Sequence, residues 1–456
     1  MDQPVNEYPQ RLNLHQEVHA RPPIALWPEE RVCSQTFLIQ DPQQRQIQSD
    51  WVENVLRAHA RPNCLVDSAS YKLIQVEEDP HRLLLRWELH GEFSTLTVFH
   101  QNAVSLKHDD WSESRTDVLS MLRSKLSALG YPLPHEGFKN RIAALDLIIR
   151  AGPLVSDAAV LSPLFSNNTL IGSTILGSQS AQVWTDFQLD TNGFVRVLVQ
   201  HQGMGSRQAG RVAQRLIDVD TYRMMSMLAL PHAKGLSQPL RDAEVELSKW
   251  ANEVANSQVL DSGDYETPHE NLLNGLSSLA SRVEDWISMH GLRFTASEAY
   301  ADLVRRALTE LKETPIIGVQ TPSEFMERRF EPAMRTCRWT QRRLQELSDR
   351  VSRTTQILRT RIEFMTERQN QELLASMNRR AQLQLKLQQT VEGLSLVVLT
   401  YYGVGLVQHL AKGLKELGYE IPIEIVTAFA VPIIAGTLLI GLRQARRRFL
   451  SQDNHP

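Results

Sequence analysis

Two stretches near the C-terminus decide the predicted architecture: LSLVVLTYYGVGLVQHLAKGL, residues 394–414, and IEIVTAFAVPIIAGTLLIGL, residues 423–442. Each holds about 20 residues, the length that a helix rising about 1.5 Å per residue needs to cross a hydrocarbon core roughly 30 Å thick. Two buried helices of a soluble core are the alternative, but arginines border these stretches as they border membrane spans. We therefore expect a hairpin of two transmembrane helices within residues 391–442.

The basic residues around the two spans predict their orientation. They precede the first span and follow the second: Arg379, Arg380, Lys386, Arg443, Arg446, Arg447 and Arg448. In the link between the spans, residues 412–420, two lysines are balanced by two glutamates. Because cytoplasmic segments carry the excess of Lys and Arg, both chain ends are expected on the cytoplasmic side of the inner membrane. The four arginines of the tail, residues 443–456, are expected to contact anionic lipid headgroups.

The cysteines and the charge distribution favour a cytoplasmic head. Cys33, Cys64 and Cys337 are far apart and form no CxxC pair, which indicates neither a disulfide framework nor a zinc ribbon. The opening MDQPVNEYPQ has neither the basic nor the apolar region of an export signal. Residues 1–320 carry 29 basic and 39 acidic side chains, whereas residues 321–390 carry 14 and 8. No aromatic residues are interleaved with these basic groups, so nucleic acid is not an expected partner.

A long helix is predicted between the head and the first span. Thr321, Pro322 and Glu324 form a capping box with a first-turn proline, and Pro332 interrupts or restarts the helix. From there to Gly393 the chain has no proline or glycine, and apolar residues recur every three or four positions. This stride predicts a coiled-coil or bundle seam, which packs either on helices of the same chain or on another copy.

Polar residues form a stripe when the same stride is extended into the first span. The stripe contains Glu392, Ser395, Tyr402 and His409. Polar groups in hydrocarbon are costly and usually face protein or water, so we expect the stripe to point towards the axis of a homo-oligomer. It lines an ion path in one interpretation, and in the other it supplies helix–helix hydrogen bonds and interfacial anchors.

The head is predicted to be α+β up to about residue 230, followed by helices. Strands are expected at 32–39, 71–76, 82–89, 94–99, 180–189 and 193–200. Helices are expected at 46–60, 117–129, 206–230, 238–257, 269–290 and 296–312. The predicted organisation is a soluble head (1–232), a helical subdomain (233–320), a long helical stalk (321–390), two transmembrane helices (391–442) and a basic cytoplasmic tail (443–456).

One turn from strand to helix is a candidate anion site. The segment QHQGMGSRQAGRVA, residues 200–213, places Ser206, Arg207 and Arg211 at the start of a helix, where backbone N–H groups attract anions. It matches neither a P-loop nor a dinucleotide-binding fingerprint. The alternative is a structural turn with Ser206 as the N-cap.

Two groups of residues have metal-like spacing, but neither predicts a metal site. Glu88, His90 and Glu92 would share one strand face, although Gly91 favours a turn there. His15 and His19 are one helical turn apart, but the order HxExH is not the HExxH of zinc proteases. The sequence has no recognisable motif that combines a nucleophile, a base and an orienting group, so we expect neither an enzyme nor a cofactor.

Four segments resemble a bacterial family of membrane-anchored proteins known as domain of unknown function 3422. They are residues 17–23 (EVHARPP), 87–95 (WELHGEFST), 209–231 (AGRVAQRLIDVDTYRMMSMLALP) and 368–402 (RQNQELLASMNRRAQLQLKLQQTVEGLSLVVLTYY). The resemblance runs the length of the chain and implies a membrane-anchored protein. It brings no activity, cofactor or catalytic residue with it.

The order of elements also resembles CorA-like divalent metal-ion channels. These have an α/β head, a long stalk helix that continues into the first span, a short external link and a second span with a basic end. Their Gly-Met-Asn signature after the first span is missing here, where the chain reads KGLKELGYE, residues 412–420. Two functions therefore stay open: a homo-oligomeric assembly that conducts ions, and a tethered scaffold or sensor whose head binds a protein or a small anion.

Overall fold

The computed structural model describes most of the chain. The described residues are 8, 10–11, 24–27, 29–58, 64–67, 70–77, 83–101, 127, 133–177, 180–256, 266–416 and 422–452. They divide into two compact units, Met1–Thr355 and Gln356–Pro456.

Ten described strands of the first unit form one sheet in the order β10-β7-β8-β9-β6-β1-β5-β4-β3-β2. The strands are β1 (Glu30–Leu38), β2 (Cys64–Asp67), β3 (Tyr71–Glu77), β4 (Leu83–Leu89), β5 (Phe93–Gln101), β6 (Arg141–Ala151), β7 (Ile171–Ile175), β8 (Ala181–Leu189), β9 (Val195–His201) and β10 (Thr314–Pro315). Strands β6 and β9 run parallel, and the other described neighbours are antiparallel.

Long helices make up most of the remaining described structure. They are α1 (Pro42–Ala58), α2 (Ser206–Met227), α3 (Ala229–Asn256), α4 (Glu266–Leu311), α5 (Pro322–Arg329), α6 (Glu331–Glu416) and α7 (Ile423–Gln452). Helices α1 to α3 confirm the corresponding predictions, and the helix expected at 117–129 lies, except for residue 127, outside the described residues. The two helices expected at 269–290 and 296–312 are wrong as separate elements, because α4 continues through Gly291. A glycine inside a helix costs only about 1 kcal/mol, which buried apolar side chains on both sides of it outweigh.

The strand predictions are confirmed at all six predicted positions and miss the remaining described strands. All six expected strands are present, as β1, β3, β4, β5, β8 and β9. Central strand β6, by contrast, reads RIAALDLIIRA and is buried on both faces, so its apolar run carries no alternation. Strands β2, β7 and β10 have five residues or fewer, too short for a recognisable pattern.

The two faces of the sheet are covered by different helices. On one face, Trp51 and Val55 of α1 pack with Leu85, Trp87 and Phe138 in an apolar cluster. The other face lies against α2, which contacts β1, β6 and α4. Since successive strand residues point to opposite faces, the side chains of β4 that alternate with Leu85 and Trp87 point towards α2.

A buried ion pair joins the two central strands. The Arg31 guanidinium of β1 donates to both carboxylate oxygens of Asp146 of β6, at 2.9 and 2.7 Å, and both side chains are almost fully buried. Burial of such a pair is tolerated when the partners satisfy each other in this two-bond geometry. The pair therefore links β1 to β6 where apolar residues alone would specify the register less strictly.

The N-terminal segment 24–27 crosses the start of α2 at very short range. The Leu26 N–H donates to the Ser206 carbonyl oxygen at 3.0 Å. A Cβ atom at Gly210 would lie 1.7 Å from the Ile24 carbonyl oxygen, so this position has room for glycine only. The close approach explains why a glycine interrupts the otherwise regular apolar stride of α2.

Helices α5 and α6 confirm the predicted start of the long helix. The Thr321 hydroxyl accepts from the Glu324 N–H, the Glu324 carboxylate accepts from the Thr321 N–H, and α6 begins one residue before Pro332. Within the first unit α6 packs on helices of the same chain, as the ion pair between Arg343 and Glu244 of α3 illustrates. The seam of this part of α6 is therefore intramolecular.

In the second unit, α6 and α7 are the described helices that are long and apolar enough to cross a membrane. They contact each other where residues are small: a Cβ atom at Gly403 would lie 3.1 Å from Ile434. Ala411 of α6 and Ala430 of α7 are buried, whereas most large apolar side chains of both helices are exposed. Small residues at the contact and apolar residues outside it are typical of helices that pack in lipid.

Candidate functional site

A cavity of about 350 Å³ lies between α2 and the end of the sheet formed by β3, β4 and β5. Its described lining consists of Tyr71, Arg86, Glu88, His90, Phe93, Thr95, Arg211, Gln214, Arg215, Ile217, Asp218, Thr221 and Tyr222. We call it the Arg86 cavity. It lies in the first unit, and it brings together two of the segments that carry the family resemblance, residues 87–95 and 209–231.

The floor of the Arg86 cavity is a charged pair on β4. The Arg86 Nε lies 3.2 Å from the Glu88 carboxylate, and both side chains are at least nine-tenths buried. Arg86 also donates to the Gln214 amide oxygen at 2.5 Å and to the Thr97 hydroxyl at 3.3 Å. Because residues i and i+2 of a strand share a face, the pair points towards α2 and away from the apolar cluster under α1.

The wall of the cavity is one face of α2. Arg211, Arg215 and Asp218 recur at helical spacing, and the Gln214 amide donates to the Asp218 carboxylate at 2.7 Å. Arg215 lies 3.6 Å from Asp218 and also forms an ion pair with Glu310 of α4. Arg211 is exposed and has no ion-pair partner among the described residues. Its guanidinium is therefore available at the rim.

Asp218 has a perturbed acidity. Burial raises the pKa of its carboxyl to about 6, although the hydrogen bond from Gln214 and the charges of Arg86 and Arg215 act in the opposite direction. A carboxyl that titrates near neutral pH beside a cavity is a common property of functional sites.

Aromatic rings close the opposite end of the cavity. His90 stacks on Phe93 with 4.2 Å between ring centroids, and Phe93 meets Tyr222 edge to face at 6.2 Å. Behind them, Tyr222 stacks on Tyr300 of α4, at 5.7 Å. The Tyr300 hydroxyl donates to Glu92 at 2.8 Å, and burial together with this hydrogen bond raises the pKa of Tyr300. The rings are thus held in place by α4.

Of the three residues predicted as an anion site, one lines the Arg86 cavity. Arg211 lines the Arg86 cavity, whereas Ser206 and Arg207 are exposed near the start of α2 and do not line it. The alternative role of Ser206 as the N-cap is wrong, because Gly205 is the N-cap and Ser206 is the first helical residue. The extended Gly205 precedes the helix without a side-chain cap.

The group of Glu88, His90 and Glu92 does not share one face. Strand β4 ends at Leu89 and Gly91 lies in the turn, as the alternative interpretation expected. Glu88 and His90 line the cavity, whereas Glu92 pairs with Arg293 of α4. In the part of the chain that the structure describes, no three His, Cys, Asp or Glu side chains are grouped for metal binding. His15 and His19 lie outside the described residues.

The residues that sequence reasoning missed share one signal. Arg86 interrupts the apolar strand LLLRWEL, and Gln214, Arg215 and Asp218 lie on one face of an otherwise amphipathic helix. A charged residue at a position where the pattern predicts burial indicates a site. The sequence pattern does not say which helix faces which strand, because that depends on the topology of the fold.

The polar stripe of the first span lies in the second unit. Ser395, Tyr402 and His409 are exposed, and Glu392 is half-buried. The contact with α7 involves a different side of α6, that of Gly403 and Ala411. Within one chain, therefore, α7 does not cover the exposed part of the stripe.

Comparison with known families identifies the chain. The sequence model of the family described as "Protein of unknown function (DUF3422)" matches residues 6–449, and the chain belongs to this family. No curated protein matches the chain.

Proposed function

We propose that this member of the DUF3422 family is a membrane-tethered receptor that binds a small anionic ligand in the Arg86 cavity. The observation that carries the proposal is an open volume of about 350 Å³ beside two buried charged residues, Arg86 and Glu88. Known small-molecule sites occupy roughly 300 to 1,000 Å³ and combine apolar walls with a few polar groups. In this role the cavity binds its ligand without catalysing a reaction.

The cost of burying charge supports a binding role over a structural one. Ionised groups are costly to remove from water, and apolar residues of similar volume usually stabilise a fold as well or better. The face of β4 towards α1 is packed with such apolar residues, whereas the face towards α2 keeps Arg86 and Glu88. A ligand that binds beside Arg86 and Glu88 would explain why the face of β4 towards α2 is charged and the face towards α1 is apolar.

The charge balance of the described lining supports an anion. Three arginines, Arg86, Arg211 and Arg215, face two carboxylates, Glu88 and Asp218. Arg86 and Arg215 have carboxylate partners, while Arg211 has none among the described residues. A guanidinium presents a planar set of N–H donors that fits carboxylate and phosphate groups, so Arg211 is the expected first contact.

The anchor in this proposal is a two-span hairpin formed by the end of α6 and by α7, with both chain ends cytoplasmic. The apolar length of the helices and the basic residues at both outer ends support it. Arg443, Arg446, Arg447 and Arg448 are proposed to contact anionic lipid headgroups. Labelling of Gly418→Cys and Ser451→Cys variants by an impermeant maleimide in intact cells tests the topology: only the first should react.

The ligand proposal is tested by titrating sulfate and ribose 5-phosphate into the purified full-length protein by calorimetry. Arg211→Gln should weaken both anions about tenfold, because one charge-assisted hydrogen bond contributes roughly 1.5 kcal/mol. Arg207→Gln is the matched control: this exposed arginine lies one turn away on α2 and does not line the cavity. Equal effects of both variants, or no binding to the parent protein, would contradict the proposal.

A homo-oligomer that conducts ions is the second candidate, and exposed apolar side chains on α6 favour it. They precede the first span: Phe364, Leu373, Leu374, Met377, Leu383, Leu385, Leu387 and Val391. Arg379, Arg380 and Lys386 lie among them, so this part of α6 belongs in water. Leu373, Leu387 and Val391 fall on one helix face, which a second copy of the chain would cover.

The mass of the protein in detergent tests the second candidate. A native mass of three or more copies is expected if the polar stripe surrounds a pore, since two spans per chain cannot enclose one. Leu387→Glu should reduce the assembly, while Gln389→Glu, on the polar face of the same turn, should leave it intact. A monomeric parent protein would exclude the pore. Unchanged ion flux in Glu392→Gln would remove Glu392 from the conducting path.

A further inference from the structure

The side chains around the Arg86 cavity change in character along α2. Arg211 and Arg215 come first, Asp218 is next and Tyr222 is last. Their spacing places them on one helix face. At about 1.5 Å per residue, Arg211 and Tyr222 are roughly 16 Å apart along the helix axis.

The opposite side of the cavity has the same order. Arg86 comes first on β4, Glu88 follows, and His90 and Phe93 lie at the turn. Two contacts set the register between strand and helix: Arg86 with Gln214 at 2.5 Å, and Phe93 with Tyr222 at 6.2 Å between ring centroids. The cavity is therefore cationic at one end, lined by carboxylates in the middle and aromatic at the other end.

We infer that the ligand of the Arg86 cavity is a nucleoside monophosphate. Its phosphate lies at the cationic end, its ribose at the carboxylates and its base at the aromatic end. The inference rests on the proposed function, because it names the ligand class of the same cavity.

Each part of such a ligand would lie beside side chains that can bind it. Guanidinium groups bind phosphate oxygens through two parallel hydrogen bonds, and Arg211 and Arg215 supply them. Ionised carboxylates are acceptors only, so Glu88 and Asp218 suit the two hydroxyl donors of a ribose. A sugar phosphate would leave the aromatic end of the cavity empty, and a nucleoside would leave the cationic end empty.

The aromatic end is arranged to hold a planar group. His90 stacks on the buried Phe93, with an angle of 18° between their planes, and Tyr222 stacks on Tyr300, so a second ring fixes the orientation of each of these two side chains. Stacking of a base on an aromatic side chain tolerates every base, because each base has a π face. We therefore expect little selection among the four bases.

The test is a calorimetric titration of the full-length protein with AMP, GMP, CMP, UMP, adenosine, 2′-deoxy-AMP and ribose 5-phosphate at fixed pH. AMP should bind about tenfold more tightly than ribose 5-phosphate, the gain expected from one stacked base. The 2′-deoxy compound should bind about fivefold more weakly than AMP, because one hydroxyl donor is missing.

Two variants locate the base. Tyr222→Leu should weaken AMP about tenfold and leave ribose 5-phosphate unchanged. Trp339→Leu is the control, since Trp339 is an exposed aromatic residue of α6 that does not line the cavity. Thermal unfolding of both variants verifies that they fold. The ligand series on the parent protein needs no substitution and so tests the inference even if Tyr222→Leu does not fold.

The outcomes separate this inference from the proposed function. In one outcome, ribose 5-phosphate binds in a way that depends on Arg211 while none of the four nucleotides binds more tightly. That result overturns the inference of a nucleotide ligand but agrees with the proposed anion receptor. Failure of every anion to bind overturns both. Tight AMP binding that Tyr222→Leu does not weaken places the base elsewhere and also overturns the inference.

Discussion

The Arg293 guanidinium donates to both carboxylate oxygens of Glu92, at 3.1 and 2.7 Å, across 201 positions of sequence. The pair joins the β4–β5 turn to α4. It lies beside Tyr300, whose hydroxyl also donates to Glu92, and so supports the aromatic end of the Arg86 cavity.

Replacing Arg293 by Lys should destabilise the first unit. A lysine keeps the charge but loses the two-bond geometry, and for a pair that is about three-quarters buried we expect a loss of roughly 1 kcal/mol in the free energy of unfolding. The measurement is the thermal midpoint, which should fall by about 1–2 °C in a unit of this size. Arg306→Lys, at an exposed position of the same helix, should leave it unchanged; an equal fall would argue against the pair.

Asp218→Asn should stabilise the protein at neutral pH and not in acid. Burial raises the pKa of Asp218 to about 6 from an ordinary 3.8. Between these values the unfolded chain releases a proton that the folded chain keeps, so this group lowers the free energy of unfolding as pH rises to about 6. Above that pH the ionised carboxylate costs up to about 3 kcal/mol.

The check is the thermal midpoint of the parent protein and of Asp218→Asn at several pH values. The variant should melt higher at pH 7.5, and the difference should shrink as pH falls through 6 towards 4.5. Asp285→Asn is the control, because Asp285 is exposed on α4. A difference that does not change with pH would contradict the buried ionisation.

Sulfate should bind the Arg86 cavity more tightly as pH falls from 8 to 5. Protonation of Asp218 removes a negative charge beside the anion, which is worth about 1 kcal/mol, or roughly fivefold in the dissociation constant. Sulfate is a suitable probe because it keeps its own charge over this range. In Asp218→Asn the dependence should be largely lost, and a dependence equal to that of the parent protein would contradict the role of Asp218.

Two glycines of the first unit should respond to alanine in opposite directions. At Gly210 the new Cβ would collide with the Ile24 carbonyl oxygen, and we expect a loss of several kcal/mol in the free energy of unfolding. At Gly235, inside α3, nothing lies within 4 Å, so Gly235→Ala should gain about 1 kcal/mol. Thermal midpoints measure both, and a tolerated Gly210→Ala would show that segment 24–27 is not fixed on α2.

The sequence predicted the elements whose residues obey a local pattern. Strand β1 and the capping box at Thr321 were recognised because alternation and caps depend on neighbouring residues. Strand β6 was missed, because its apolar run, Arg141–Ala151, is equally compatible with a buried helix segment. Its parallel pairing with β9 is a long-range feature that no local pattern contains.

The candidate site was predicted only in part for the same reason. Arg211 and Glu88 were singled out from two separate motifs, but nothing in either motif says that they face one cavity. Asp218 and Tyr222 were missed because each is ordinary in its helix and becomes informative only opposite Arg86 and Phe93. Burial of a charged residue, which identifies the site, is a property of the folded chain.

The proposed spans follow the first unit in the sequence, so the ribosome synthesises them after it. The first unit ends at Thr355, and the first apolar stretch begins at Leu394. At about 5–20 residues per second, translation of the segment between them takes roughly 2–8 s, and domains generally fold as units with the N-terminal one first. The sheet, whose edge strand β10 lies more than 100 residues after its neighbour β7, thus has seconds to close before the first apolar stretch is synthesised.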